Sequence, residues 1–286
     1  MSKKDGHTHT QFCPHGSGDD AELMIQKAIK MGFEEYSITE HAPLPPDFAA
    51  VFAGQRKGLT TAALSAKQFE PYLEFVQKMQ LKYRERIKIN AGFEVDYLPG
   101  FEEWTKSFLE SYGSQTQDNV LSVHFMRGTD DKFWCLDYST SDFAQGFAEL
   151  LRQPQELFRQ FFKLELAAAS SDLGSYRPQR LGHLTLIRKY QDYFNLPQEF
   201  DAANQHLIAQ ILETIKQKGL EIDLNTAGLY KEYCNEIYPS PRIVEQAVIL
   251  EIPLVYGSDA HSILEVGHGW HEAIDVVKRV EGQESN

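Results

Sequence analysis

Seven of the ten histidines in this chain stand at or just after short apolar runs that read as β-strands. His7 and His9 follow the run Lys3 to Gly6, and His15 comes six residues later. His41 follows Glu35 to Ile38, His124 ends Val120 to Val123, His183 ends Arg180 to Gly182, and His261 follows Pro253 to Gly257. Two carboxylates join them, Glu94 after Ile87 to Phe93 and Asp259 beside His261. Residues i and i+2 of a strand face the same side, so His7 with His9, and Asp259 with His261, each aim two donors in one direction. Imidazole and carboxylate donors, with no thiolate demanded, suit zinc, manganese or iron; magnesium prefers shells made of oxygen alone. Any one of these histidines by itself reads as a hydrogen-bonded packing residue. Their joint placement reads as a multinuclear metal site, and the chemistry of such a site is hydrolysis by a metal-activated hydroxide.

Donors scattered over 250 residues meet only if the strands share an end. Seven candidate strands are present: the five runs that lead to histidines, the one that leads to Glu94, and Leu220 to Leu224, which leads to Asn225. Helical patterns separate them. Asp19 to Met31 has an Asp cap and Gly32 as its stop; Gln68 to Lys82 carries Phe69, Leu73, Val76 and Met79 on one face. Phe143 to Ala169 is interrupted at Pro154, Asn204 to Lys218 ends at Gly219, and Ser240-Pro241 opens the last well-marked helix. Strands alternating with helices pair in parallel, and closing such a sheet gives an α/β barrel whose active face lies at the C-terminal strand ends. Three long segments break the alternation, Ala42 to Ala66, Phe125 to Ser141 and Ser170 to Gln179; ordered loops of that length are commonly functional. The expectation is one domain spanning residues 1–286, with a frayed tail at 283–286.

The net charge of −13 and the lack of a basic stripe argue against gripping a nucleic-acid backbone. An acidic protein still binds phosphate where metal ions supply the positive charge. No run approaches the roughly 18 apolar residues of a membrane span. Lys3 and Lys4 lead straight into the histidines without an apolar stretch, so a cytoplasmic location is expected. Cys13, Cys135 and Cys234 are odd in number and form no CxxC, which fits a reducing compartment. Cys13 lies inside the first histidine cluster; its ordinary reading is a small side chain packed beside Pro14, with a ligand role as the alternative.

Several stretches resemble the PHP (polymerase and histidinol phosphatase) family. They are Asp5-Gly6-His7-Thr8-His9-Thr10, Phe12-Cys13-Pro14-His15-Gly16, Thr39-Glu40-His41-Ala42-Pro43, Gly92-Phe93-Glu94-Val95-Asp96-Tyr97, Ser122-Val123-His124-Phe125, Gly182-His183-Leu184 and Gly257-Ser258-Asp259-Ala260-His261. They run in order along nearly the whole chain. The Phe-Cys-Pro-His-Gly and Glu-His-Ala-Pro wording is similar to the histidinol-phosphate phosphatase branch. The resemblance implies a distorted, TIM-like (β/α)7 barrel and three divalent ions. One would be held by His7, His9, Glu94 and Asp259, a second by Glu94, His124 and His183, and a third by His15, His41 and His261. It further implies a free-standing enzyme of histidine biosynthesis whose small phosphorylated substrate is L-histidinol phosphate.

Hydrolysing a phosphate monoester needs a nucleophile, neutralisation of the phosphoryl oxygens and a proton for the leaving alkoxide. No Ser or Cys nucleophile elbow stands out, so single in-line displacement by activated water is expected. Asp259 is the candidate for taking a proton from that water. Arg177 and Arg180, just before His183, are the candidate phosphate clamps, with Arg127 a weaker third. Arg180 stands near the start of its short strand, so a place on the far face is its alternative, and a surface arginine is the plain reading of each. Asn225 is a candidate substrate contact. Asp130, Asp131 and Asp137 could attract a substrate amine, although solvated loop charge is their plainer reading. His206 reads as exposed, and His268 and His271 as packing or surface residues. Three other readings use the same residues: a PHP-type nuclease or nucleotide phosphoesterase, a non-catalytic metal-binding relative, and an amidohydrolase, which commonly has a lysine where His124 stands.

Overall fold

The computed structural model describes residues 3–284; Met1, Ser2 and the last two positions of the 283–286 tail lie outside the described residues. The strands are β1 (Lys4–Asp5), β2 (Glu35–His41), β3 (Lys88–Asp96), β4 (Val120–Ser122), β5 (Phe125–Arg127), β6 (Phe133–Cys135), β7 (Arg180–Leu181), β8 (Glu221–Asn225) and β9 (Leu254–Gly257). The helices are α1 (Ala21–Lys30), α2 (Phe48–Val51), α3 (Arg56–Thr60), α4 (Ala66–Tyr83), α5 (Glu102–Tyr112), α6 (Thr140–Gly146), α7 (Ala148–Leu151), α8 (Pro154–Ser170), α9 (Ala202–Lys218), α10 (Pro241–Ile249) and α11 (Trp270–Glu284).

Seven parallel strands form one sheet in the order β1-β2-β3-β4-β7-β8-β9. Hydrogen bonds then join its two edges. Gly6 N donates to Tyr256 O at 2.7 Å, Asp259 N to His7 O at 2.8 Å and His9 N to Ala260 O at 2.9 Å. The sheet is therefore a nearly closed, distorted barrel with helices outside, as the seven runs imply. Strands buried on both faces need apolar residues on the helix side, and β2 and β3 supply Tyr36, Ile38, Ile89, Ala91, Phe93 and Val95 there. Their alternate residues turn inward: Ser37, Thr39 and His41 on β2, and Asn90, Gly92, Glu94 and Asp96 on β3. The register places His41 beside Glu94 and Asp96 beside Ser122.

The helices follow their sequence signals with small shifts. Asp20 caps α1 by accepting from Glu22 N at 2.8 Å, one residue later than the Asp19 cap expected. Pro154 opens α8, and Gly219 ends α9 in the left-handed conformation at φ 64°. Two helices carry no clear mark in the sequence, α5 and α11. Inside the segments read as loops, the chain forms α2 and α3 before α4, and an antiparallel β5–β6 hairpin after His124. Phe48 of α2 packs its ring 5.0 Å from Phe125 and 5.2 Å from Phe133, joining α2 to the hairpin in a small second core. Burying each such ring stabilises the fold by about 1.5–3 kcal/mol, enough to hold these segments as fixed walls over the C-terminal rim. No helix of the described residues is long and apolar enough to cross a membrane.

Candidate metal centre

Glu94 lies 2% exposed at the end of β3, and its two carboxylate oxygens meet five imidazoles. Oε2 is 3.1 Å from His41 Nδ1, 3.3 Å from His7 Nε2 and 3.5 Å from His9 Nε2; Oε1 is 2.9 Å from His183 Nε2 and 3.4 Å from His124 Nε2. Two donors bound to one ion at about 2.1 Å stand a little over 3 Å apart, so these separations suit shared cations. Asp259 Oδ1 lies 3.2 Å from His9 Nε2 and 3.8 Å from His7 Nε2. His15, exposed at the mouth, points Nε2 to within 3.0 Å of His261 Nε2. Three groups can each hold an ion: His7, His9 and Asp259; His41, Glu94 and His124; and His9, Cys13, His41 and His261.

The chemistry of the donors also fits cations. Buried nitrogens left without a hydrogen-bond partner include His7 Nε2, both nitrogens of His9, His41 Nε2 and His183 Nδ1. An orphaned buried nitrogen is unfavourable by about 1–3 kcal/mol unless something pairs with it. Burial alone would lower the pKa of His7, but Glu94, Asp223 and Asp259 raise it well above the ordinary value. His9 is raised to about 9 and His124 to about 10 by neighbouring carboxylates, again against burial. Burial and the charge of His9 push His41 and His261 well down, so they stay neutral. The surrounding histidines hold Glu94 and Asp259 ionised despite burial. Neutral imidazoles, ionised carboxylates and excess negative potential are the conditions under which a divalent cation replaces protons.

A further layer orients the donors. His7 Nδ1 meets Asp223 Oδ2 at 2.8 Å, His124 Nδ1 meets Asp96 Oδ1 at 2.8 Å, and Ser122 Oγ donates to Glu94 Oε1 at 2.7 Å. Glu40 accepts from Thr10 N at 2.5 Å and Thr10 Oγ1 at 2.6 Å, and holds Oε2 3.6 Å from His9 Nδ1. Such carboxylate–histidine pairs fix ring orientation and raise ligand basicity. Asp259 takes φ 53°, a left-handed conformation uncommon for residues with a side chain but one that aspartate tolerates better than most. That turn lets its amide close the barrel seam while its carboxylate faces His9. At Gly257 a Cβ would stand 2.5 Å from Asp223 Oδ1 and 2.7 Å from His7 Cβ, so glycine there leaves room for this pair.

Above the histidines opens a cavity of about 420 Å³. Its cations are Lys189 and Lys231, and its anions beyond the metal cluster include Asp137 and Glu265. Lys189 Nζ lies 3.1 Å from Asp137 Oδ2; with His124 it holds the Asp137 carboxyl well below its usual range, although burial opposes this.

The expected arginines are elsewhere, and none of the three lines this cavity. Arg180 is fully buried at the opposite end of the barrel, where Nη2 donates to Gly6 O at 2.6 Å and to Asp118 Oδ1 at 2.8 Å. It is the first residue of β7, so its side chain fills the floor of the barrel. Arg177 precedes that strand and reaches Ala169 O at 3.4 Å, also on the far side. Arg127 lies on the exposed hairpin, its guanidinium 4.5 Å from the Phe133 ring centre and paired with Asp131. Asn225 is buried behind the site: Nδ2 donates to Asp223 at 3.0 Å and to Asp259 at 3.2 Å, while Oδ1 accepts from Ala227 N. Asp130 sits in the hairpin turn, bonded to Trp134 Nε1 at 3.0 Å. His206 and His271 are exposed, and His268 stacks on Tyr230 at 3.6 Å. Sequence reading passed over Lys189, Lys231, Asp223, Asp96 and Glu40. Asp96 and Asp223 were open to the alternation rule, since Asp96 lies two residues beyond Glu94 and Asp223 two before Asn225; Glu40, next to His41, was not.

A sequence profile of the PHP domain matches residues 5–227. The chain is 36% identical over 275 residues to the histidinol-phosphatase of Bacillus subtilis, covering 96% of this chain and 99% of that protein. It is 28% identical to a probable histidinol-phosphatase of Deinococcus radiodurans, across 98% of this chain and 94% of the relative. A crystal structure of a candidate histidinol phosphatase from Listeria monocytogenes superposes with a TM-score of 0.91 at 40% identity, over 94% of this chain and 99% of the other. Histidinol phosphate phosphatase of Lactococcus lactis, solved with zinc, L-histidinol and phosphate, shares the fold with a TM-score of 0.70 at 20% identity, over 98% and 94% of the two chains.

Proposed function

The chain belongs to the PHP domain family, and from that premise we propose that it is a metal-dependent phosphomonoesterase that hydrolyses L-histidinol phosphate to L-histidinol and phosphate. The observation that carries the metal-dependent half is Glu94, one buried carboxylate facing five imidazoles across both of its oxygens. His7, His9, Glu94 and Asp259 would hold one ion; Glu94, His124 and His183 a second; His15, His41 and His261 a third. Zinc, manganese or iron bound there supplies Lewis-acid activation of water and neutralises phosphoryl charge. The protein's own part is to orient and to move charge. Asp259, held ionised, accepts the proton of the attacking water. Lys189 and Lys231 meet the phosphate charge in place of the arginines, and Asp137 and Glu265 give the cavity anions suited to a substrate amine. The new bond forms between the water oxygen and phosphorus as the bond from phosphorus to the ester oxygen breaks. The departing oxygen takes a proton from solvent in the open cavity, Asp259 releases its own to solvent, and no covalent protein intermediate forms. The near full-length likeness to histidinol-phosphatases supports the substrate.

The test is phosphate release by metal-loaded protein from histidinol phosphate, nucleotides, sugar phosphates and single-stranded DNA. A kcat/KM for histidinol phosphate at least about 100-fold above the others is expected, the scale on which a site with dedicated polar contacts discriminates. Activity confined to nucleotides or DNA defeats the substrate assignment. With a chiral, isotopically labelled phosphate ester, inversion at phosphorus is expected and retention defeats the single displacement.

A further inference from the structure

The Cys13–Pro14–His15–Gly16 turn carries a donor outside the nine residues named above. Cys13 is 5% exposed. Its Sγ belongs, with one nitrogen from each of His9, His41 and His261, to a group whose members all lie within 4.8 Å of one another. Burial and Glu40 push the thiol well above its ordinary range, against the amides of His15 and Gly16 that face the sulfur, so it is a bound cation and not the bare turn that would displace the proton. A Cβ at Gly16 would stand 3.3 Å from Cys13 Cβ and 3.5 Å from His261 O, so the glycine lets the turn close this tightly on its neighbours. Independently of the cysteine, His41 Nε2 and both nitrogens of His9 are buried without a hydrogen-bond partner. A packed but inert thiol needs none of these imidazoles turned toward it.

We propose that the Cys13 thiolate is a ligand of the ion held by His41 and His261, giving that ion a mixed nitrogen and sulfur shell. The inference rests on the metal-centre reading and not on the choice of substrate. The sulfur–hydrogen bond breaks, its proton passes to solvent, and a sulfur–metal bond forms with no change of oxidation state. The ions are then inequivalent: two sit among nitrogen and oxygen donors only, while the third has a soft donor that favours zinc over manganese.

X-ray absorption at the zinc edge tests this on the zinc-loaded full chain. One sulfur neighbour per protein at about 2.3 Å is expected in the wild type, absent in both Cys13→Ala and Cys13→Ser. The two variants are also expected to lose about tenfold of the zinc-over-manganese preference in competition binding, a readout independent of turnover. A wild-type spectrum fitted by nitrogen and oxygen alone overturns the proposal. So does a sulfur shell that persists in the variants, since Cys135 or Cys234 must then supply it. Because the wild-type spectrum alone can decide against the ligand, a variant that fails to fold does not rescue it. Failure of the substrate assignment leaves the sulfur shell in place, so the two readings fail separately.

Discussion

At the floor of the barrel Arg180 is wholly buried, yet its charge is met by Asp118, which also pairs with Lys4 at 2.8 Å and accepts from Ser37. At the rim, a few residues further along the strands, Glu94 is as deeply placed and Asp259 is half-buried, and both are ringed by imidazoles whose nitrogens remain partly unpartnered. Both are polar clusters inside one barrel, and a buried charge is tolerated only where it is paired. The floor balances its charges with its own side chains and so serves the fold. The rim carries carboxylates that histidines neutralise only by taking up protons, and so it is built for an added cation. Unpartnered donors occur at both ends, Arg180 Nε and Nη1 included, so neither burial nor a missing partner separates a structural ion network from a functional one; the convergence of several metal-competent donors within 4.8 Å of one another does.

The sharpest way to break this contrast is Glu94→Gln, which keeps shape and removes the charge. Loss of kcat/KM by about 10³-fold or more, roughly 4 kcal/mol of transition-state stabilisation, is expected together with reduced bound metal by elemental analysis. Full activity would remove the rim's special status. At the floor, Arg180→Leu leaves Asp118 facing one cation fewer in a buried setting. It is expected to destabilise the fold by about 3 kcal/mol in denaturant titrations while KM of the folded fraction stays near wild type. A raised KM with unchanged stability would return Arg180 to a phosphate role. Asp223→Asn sits between the two regions, since its carboxylate steadies His7 from below. It should weaken metal binding by about 10–100-fold in chelator competition without abolishing folding. Lys231→Ala is expected to raise KM by about tenfold with kcat little changed, as loss of one cation in a wet cavity would.

The smallest effect expected is a pH trend in metal-free protein. His9 is raised from 6.5 to about 9 and His124 from 6.5 to about 10. A raised folded-state pKa gives stability that is present below about 6.5 and lost as pH rises through 9 to 10. The melting temperature of chelator-treated protein should thus fall by a few degrees over that window, while zinc binding strengthens over the same range because fewer protons must leave. A melting temperature rising across pH 7 to 9.5 without metal contradicts it.

Much of the rim was legible because parallel strands carry their function at one end, and a histidine following an apolar run marks that end. His7, His41, His124 and His183 needed only period and strand polarity. The floor was legible only as an alternative, from the place of Arg180 at the start of its strand. Arg180 and His183 are three residues apart, and sequence proximity suggested a shared role, but a strand rises about 3.3 Å per residue and three residues cross much of a short barrel. Lys189 and Lys231 escaped notice because they enter from loops whose path depends on packing by the β5–β6 hairpin and the segment after β8. The hairpin itself carries a turn cluster, Gly128-Thr129-Asp130-Asp131, but its flanking strands are only three residues long, too short to stand out as period-two runs. α5 and α11 went unmarked because the first begins at Glu102 and Glu103, which read equally well as exposed loop charge, and the second follows a glycine-rich stretch without a strong cap.

The seam between β1 and β9 has a consequence for how the protein is made. Its hydrogen bonds join His7 and His9 to Asp259 and Ala260, residues at opposite ends of the barrel's strand sequence. During synthesis the early histidines wait for more than 240 residues before their partner carboxylate exists, and contacts so distant in sequence form late. His41, Glu94 and His124 are all synthesised well before Asp259 completes the group it forms with His7 and His9. Closing the seam is therefore a late, long-range event, and the donor group of His7, His9 and Asp259 is assembled only once it has closed.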